Sequence, residues 1–291
     1  MDYIRLSIGT VIAHRLRSFL TMLGITIGIA AVVLLTSIGE GIHHFVLAEF
    51  TQFGTNLVAV NPGKATTHGT SIGIFGTDRP LTLADAQALR RVPYTIAVVP
   101  AFQGNAEVEA DNRRRRTTVY GVGPDMPTVF SIDIGAGHFL PEDDPASPRA
   151  FAVLGSKLRS ELFGDKNPLG ELIRIGGDRY RVIGSMESKG QILGVDLDDS
   201  VYIPAARALE MFNRDSLMEI DLLYREGAPV AEVVAGMHRI LTARHGREEY
   251  TITTQEQMLD VLGSVLDILT LAVGALGGIS LLVGGIGRAH V

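Results

Sequence analysis

The chain has 291 residues, no cysteine, 46% hydrophobic residues and a formal net charge of −6. The missing cysteines exclude disulfide staples and thiolate metal sites and fit an oxidising compartment, and the acidic balance argues against nucleic acid as a partner. Length alone allows one to three domains, so the order of apolar and polar segments has to decide the architecture.

The opening stretch, "YIRLSIGTVIAHRLR", places Ile4, Ile8, Val11, Ile12 and Leu16 on one helical face with Arg5 and Arg15 off it. That pattern predicts a cytoplasmic interfacial helix over 1–17, although a simple extension of the following segment fits the same residues. Between Arg17 and Glu40 lie 22 residues without a formal charge. A helix rising 1.5 Å per residue needs about 20 residues to match a hydrocarbon core of about 30 Å. A soluble core helix would be punctuated by charge on its solvent side, and a secretory signal has an apolar region of only about 7–15 residues before its cleavage site. The reading is a transmembrane helix over 18–39, with a signal anchor or a core helix as the alternatives. A second uncharged run, the 20 residues Ile268 to Gly287, predicts a returning transmembrane helix.

Charge sets the orientation. Of the 32 acidic and 26 basic residues, all but Asp2, Arg5, Arg15, Arg17 and Arg288 lie between the two runs. The positive-inside rule therefore puts the N-terminus and the tail 288–291 in the cytoplasm and residues 40–267 outside. Ile42 and Phe45 keep helical spacing beyond the first run, and Met258, Leu262 and Val265 do so before the second, which predicts packed stalk helices at both ends of the outer domain. Thr254 and Gln257 offer a capping box at the start of the returning stalk.

The outer segment reads as mixed α and β. "NLVAVNP" is a strand ended by Pro62; Thr82 and Asp85 cap a helix "LADAQALRRV" stopped before Pro93. "AVVPAFQGNAEVEA" and "RTTVYGVG" are strands around a turn at Asp111 and Asn112. Later come a strand "EIDLLYRE", an amphipathic helix with Val230, Val233, Val234, Met237, Ile240 and Leu241 on one side, and a strand "EYTIT". These flanks, about 50–147 and 213–255, form a ferredoxin-like split βαβ unit. Between them, about 148–212, a short helix around Ser156 to Phe163, a hairpin turning at Gly176 and Gly177, and the strand "SVYIP" predict an inserted β-rich subdomain. The fold class expected is thus α+β: two transmembrane helices flanking a two-part mixed α/β extracytoplasmic domain.

Few motifs carry chemistry. No Walker A pattern is present in these residues, so any ATP-driven work needs a partner. "GTSIG", Gly69 to Gly73, has the letters of a nucleophile elbow but loop-like flanks rather than a strand and a helix. "DLDDS", Asp196 to Ser200, lacks the Gly and the distant Glu of a calcium loop and reads as a solvated turn. The basic run Arg113 to Arg116 reads as an exposed strand end that could also touch anionic lipid or a partner. The eight histidines have no ligand spacing. No catalytic, cofactor-binding or metal residues are expected, and the chain is not read as an enzyme. Gly24 with Gly28, and Gly274 with Gly278, are four apart in the two apolar runs, a spacing that lets transmembrane helices approach closely.

"RLRSFLTMLGITIGIAAVV", "GTNLVAVNPG", "AVLGSKLRSELFG" with "NPLGELIRIGGDRYRVIG", "DDSVYIP" and "GGISLLVGGIG" resemble, in that order, the MacB-like/FtsX-like permease subunits of bacterial ABC transporters, over nearly the whole chain to Gly287. The resemblance implies an inner-membrane protein with a large porter-type periplasmic domain after the first span and no cofactor of its own. It also implies partners: a separate cytoplasmic ABC ATPase, a second permease copy (a homodimer) or a related permease, and a periplasmic adaptor protein, with ATP hydrolysis transmitted mechanically through the stalks to export or extract a substrate. The family continues after "GGIG" with a cytoplasmic segment and two further spans, whereas these residues turn to "RAHV", which implies a fragment or a truncated product. A membrane-anchored sensor or regulator of a cell-wall enzyme is the alternative function.

Overall fold

The computed structural model describes residues 56–63 and 80–261 except 146, 193 and 194, together with isolated helical positions between 19 and 42 and between 263 and 275. The chain divides into two units, Met1–Ala48 with Met258–Val291, and Glu49–Gln257.

The second unit is organised around one long, curling sheet. Its first part is built from β1 (Leu57–Pro62), β2 (Thr95–Ala110), β11 (Glu219–Tyr224) and β12 (Tyr250–Thr254) in the order β12-β1-β11-β2, with every pairing antiparallel. Helices α1 (Leu83–Leu89) and α5 (Val230–His245) make the two crossovers. Period-two alternation sends Val58, Val60, Val98, Ile220 and Leu222 into one buried cluster with Leu89 of α1 and Val233, Met237 and Leu241 of α5. This is the ferredoxin-like order expected from the flanks.

The second part grows from the same strands. β2 continues past Ala101 into a hairpin with β3 (Arg113–Val122), turning at Asp111, whose φ is 50°. Then follow α2 (Met126–Phe130), β4 (Ile134–Gly137), β5 (Phe151–Leu154), α3 (Ser156–Phe163), β6 (Leu172–Ile175), β7 (Asp178–Met186), the short pair β8 (Gln191–Ile192) and β9 (Val195–Asp196), β10 (Ser200–Pro204) and α4 (Ala205–Met211). β10 lies parallel to β3 and antiparallel to β5; β5 lies parallel to β7; β7 pairs with β6, and β6 returns to β2 through Val108↔Ile175 and Glu109↔Arg174. The sheet thereby closes a ring of six strands, β2-β3-β10-β5-β7-β6. Val108, Val119, Val201, Leu154, Val182 and Ile173, one from each strand, share a buried cluster with Leu158 of α3 and Ala208 of α4. A second cluster on the opposite face gathers Val99, Val122, Met126, Leu140, Val153 and Tyr202.

Several local expectations match in detail. The Thr82–Asp85 capping box is formed, with the Thr82 N–H donating to Asp85 Oδ2 at 2.8 Å and the Asp85 N–H to Thr82 Oγ1 at 3.3 Å. The hairpin at Gly176 and Gly177 uses positive φ at both residues, 59° and 100°. Thr254 and Gln257 exchange backbone-to-side-chain hydrogen bonds of 3.1 and 3.2 Å. Other features differ from the sequence reading. The inserted strands do not close on themselves but borrow β2 and β3 from the flanking half, and β4 joins β7 well before residue 148. Helices α2 and α4 were not expected.

Nine residues of the apolar run 18–39 and all but four of the run 268–287 lie outside the described residues, and among the described residues no helix is long and apolar enough to cross a membrane. The described positions there are helical and carry exposed apolar side chains, among them Phe19, Met22, Ile27, Leu34, Ile268 and Leu271.

Candidate functional site

A cleft opens where the ferredoxin-like part meets the ring. β3 stops at Val122, opposite Ala101, so β2 between Thr95 and Pro100 keeps β11 on one side and loses its partner on the other. The chain turns away through Gly123 and Pro124, and a β-carbon on Gly123 would stand 2.9 Å from Pro100 Cδ, so the absence of a side chain lets the two segments close up. The exposed edge is chemically blunted: Pro100 has no N–H, and the Val98 N–H donates to the Asp125 carboxylate at 3.2 Å. Asp125 also accepts from Arg90 of α1 at 2.5 Å, which ties the helix to the turn.

The cleft walls come from α1 (Leu83, Ala86, Gln87, Arg90), from Val98 and Pro100, from 122–124, from the loop 140–148 and from the start of α4, and enclose about 600 Å³ including the solvent-facing mouth. Six of the twelve prolines of the chain line it: Pro100, Pro124, Pro141, Pro145, Pro148 and Pro204. Proline walls are stiff and offer carbonyl acceptors without N–H donors, so the cleft suits an apolar ligand with few acceptors of its own. Its loop is pinned at both ends: Arg149 grips Asp143 through bonds of 2.7 and 3.0 Å and holds that carboxyl below the usual range, and Arg207 Nε donates to the Pro148 carbonyl at 3.1 Å.

Five aspartates elsewhere have distinct surroundings. Asp85, buried in the first turn of α1 against the end of α5, accepts from Arg244 Nε at 2.5 Å and lies 3.2 Å from His245 Nε2. Burial pushes its carboxyl up, yet the bonds from Arg244 and Thr82 and the charge of His245 bring it below its ordinary value. In "DLDDS" each aspartate has its own partner: Asp196 takes Lys157 at 2.8 Å, Asp198 accepts from Ser188 Oγ and the N–H groups of Lys189 and Gly190 at 2.7–3.0 Å, and Asp199 takes Arg115 at 2.6 and 2.7 Å. Arg115 is thus an internal strut, while Arg114 and Arg116 of the same run face outward. Asp221, on the middle strand β11, is buried and has no cation partner among the described residues, and burial followed by repulsion from Glu219 raises its carboxyl well above the usual range.

The residues singled out for helix packing fall in the other unit. Gly24, Gly28, Gly274, Gly278, Phe45 and Leu262 lie outside the described residues; Ile42, Met258 and Val265 are helical with exposed side chains. "GTSIG" also lies outside them. Sequence reasoning missed the cleft, because five distant segments build it; the spacing of Pro141, Pro145 and Pro148 was its one local trace.

Comparison with known proteins supports the architecture. The family described as MacB-like periplasmic core domain matches residues 18–240. The macrolide export ATP-binding/permease protein MacB of Vibrio parahaemolyticus serotype O3:K6 (strain RIMD 2210633) is 32% identical over 292 residues, covering 100% of this chain and 44% of that protein. The pyoverdine export ATP-binding/permease protein PvdT of Pseudomonas entomophila (strain L48) is 34% identical over 282 residues, covering 96% and 42%. The chain therefore spans less than half the length of these relatives. In fold, it is similar to the periplasmic region of MacB from Actinobacillus actinomycetemcomitans, with a TM-score of 0.62 at 20% identity over 75% of this chain and 97% of that one. The extracellular domain of the noncanonic ABC-type transporter YknZ from Gram-positive bacteria gives 0.55 at 18% identity, over 68% and 100%. With a family match over most of its length and a similar fold over 75% of it, the chain belongs to the MacB-like periplasmic core domain family of ABC transporter permeases.

Proposed function

We propose that the chain is the permease part of a MacB-type ABC transporter, anchored by transmembrane helices at 18–39 and 268–287, with its N-terminus in the cytoplasm and residues 40–267 on the periplasmic or extracellular side. In this reading an ABC ATPase partner hydrolyses ATP, a second permease copy pairs through the helices bearing Gly24, Gly28, Gly274 and Gly278, and the stalks carry the motion to the outer domain, which exports or extracts a substrate. The cleft at the junction of the two halves is the place for an apolar part of that substrate. The chain itself performs no catalysis.

The family match over residues 18–240 carries this proposal. Exposed apolar side chains at Phe19, Met22, Ile27, Leu34, Ile268 and Leu271, 60% or more exposed in each case, support lipid-facing helices, since water-facing helices rarely keep such a surface. The test is to purify the full-length gene product with the ATPase encoded beside it and to compare ATP hydrolysis with and without residues 56–257. The proposal expects a stable complex whose hydrolysis rate changes when the outer domain is removed. A product that binds no ATPase would favour a membrane-anchored regulator instead.

A further inference from the structure

The ring of strands has an outer surface that the transporter reading does not use. On β3, Arg114 and Arg116 stand opposite Glu109 and Glu107 of β2, so charge is roughly balanced there. The next two strands are different. Arg174 of β6 has Glu109 of β2 on one side and Arg179 of β7 on the other, and Arg181, two residues further along β7, stands opposite Leu172. All four side chains are exposed, Leu172 to 55%. Among the described residues, Arg174, Arg179 and Arg181 have no carboxylate within 4.0 Å. Several other arginines of this domain are paired, among them Arg90 with Asp125, Arg115 with Asp199, Arg149 with Asp143 and Arg244 with Asp85.

Directly opposed like charges destabilise a strand pair. Here the chain keeps such a pair, adds a third arginine on the same face and places them in a domain whose overall balance is acidic. We propose that this face is a docking surface for an extended acidic segment of a partner protein. Arg179 and Arg181 are one strand repeat apart, about 6.6 Å, which is the spacing of alternate side chains in an extended chain; Arg174 lies one strand over, about 5 Å away. A segment with carboxylates at every second residue meets all three, and Leu172 gives it an apolar contact. A continuous anionic lipid surface fits less well, because Glu107 and Glu109 border the cluster and would face the headgroups. Complementary charge of this kind sets orientation and encounter rate, and salt weakens it.

The test uses the full chain in zwitterionic nanodiscs and a fluorescein-labelled peptide of alternating Glu and Ser, read by anisotropy at low salt. The triple variant R174A/R179A/R181A is expected to lose about tenfold or more in affinity. A control variant carrying R214A/R225A/R239A, three exposed arginines on other elements, is expected to stay within roughly twofold. Matching melting curves for the two variants show that the loss is not unfolding. Equal losses in both would overturn the proposal by reducing it to net charge. Binding of phosphatidylglycerol vesicles that depends on the same three arginines, with no binding of the peptide, would also overturn it and assign the face to lipid.

Discussion

Helix α4 rests on a strand position that has no side chain: a β-carbon on Gly121 would overlap Ala208 Cβ and stand 3.3 Å from Ala205 Cα. Ala208 is fully buried and cannot rotate away. Gly121→Ala is therefore expected to destabilise the domain by about 1–3 kcal/mol, the usual cost of overpacking. Adding Ala208→Gly, which alone costs about 1 kcal/mol in a helix, should recover part of the loss, and a double-mutant cycle by chemical denaturation checks it.

Asp85 joins the start of α1 to the end of α5 through Arg244 and His245. Replacing it with Ala removes a buried acceptor of Arg244 and of the Thr82 N–H and should cost about 1–3 kcal/mol, less than for a fully buried pair because the Arg244 side chain is 39% exposed. Because its folded-state pKa lies below the ordinary 3.8, the stability it contributes is complete above that value and lost as pH falls through the folded value. Melting curves from neutral pH to about pH 3 should show an acid-sensitive loss that is smaller in Asp85→Ala.

Asp221 has the opposite sign. Its folded-state pKa is raised well above 3.8 by burial and by Glu219, so the folded state binds the proton more tightly and stability falls as pH rises above the unfolded value. Asp221→Asn is expected to raise the melting temperature at neutral pH and to change it little in acid. A variant less stable than wild type at neutral pH would contradict this assignment.

Asp198 accepts three hydrogen bonds from residues 188–190 and is nearly fully buried. Asp198→Ala should cost about 2–3 kcal/mol, since charge-assisted bonds are lost and two backbone donors are left unmet. Hydrogen exchange at the Lys189 and Gly190 amides should accelerate before the rest of the domain is affected.

Much of the local structure was legible because its causes are local. Thr82 and Asp85 have the spacing of a cap, Asp111 tolerates the left-handed turn, and Gly176 with Gly177 permits positive φ; each signal sits within a few residues of the feature it specifies. The split βαβ order also followed from alternating strands and helices at the two ends of the domain. The closure of the ring was not legible, since it depends on Val108 meeting Ile175, 67 positions further along the chain, with no sequence mark. β4 escaped because its "IGAG" offers almost no side chains to alternate, and α2 because it is five residues long with a proline in its first turn. The Arg174/Arg179/Arg181 face was hidden in plain alternation, for the pairing register alone puts Arg174 opposite Arg179.

The most direct check of the central claim is topology in cells, and none of these 291 residues is a cysteine that would compete with an introduced one. Single variants Arg5→Cys and Arg239→Cys of the full-length gene product are treated in intact spheroplasts with a membrane-impermeant maleimide. The account predicts that Arg239→Cys is labelled at once and Arg5→Cys only after the membrane is opened. Labelling of Arg5→Cys with protection of Arg239→Cys, or recovery of the protein in the soluble fraction, would contradict it.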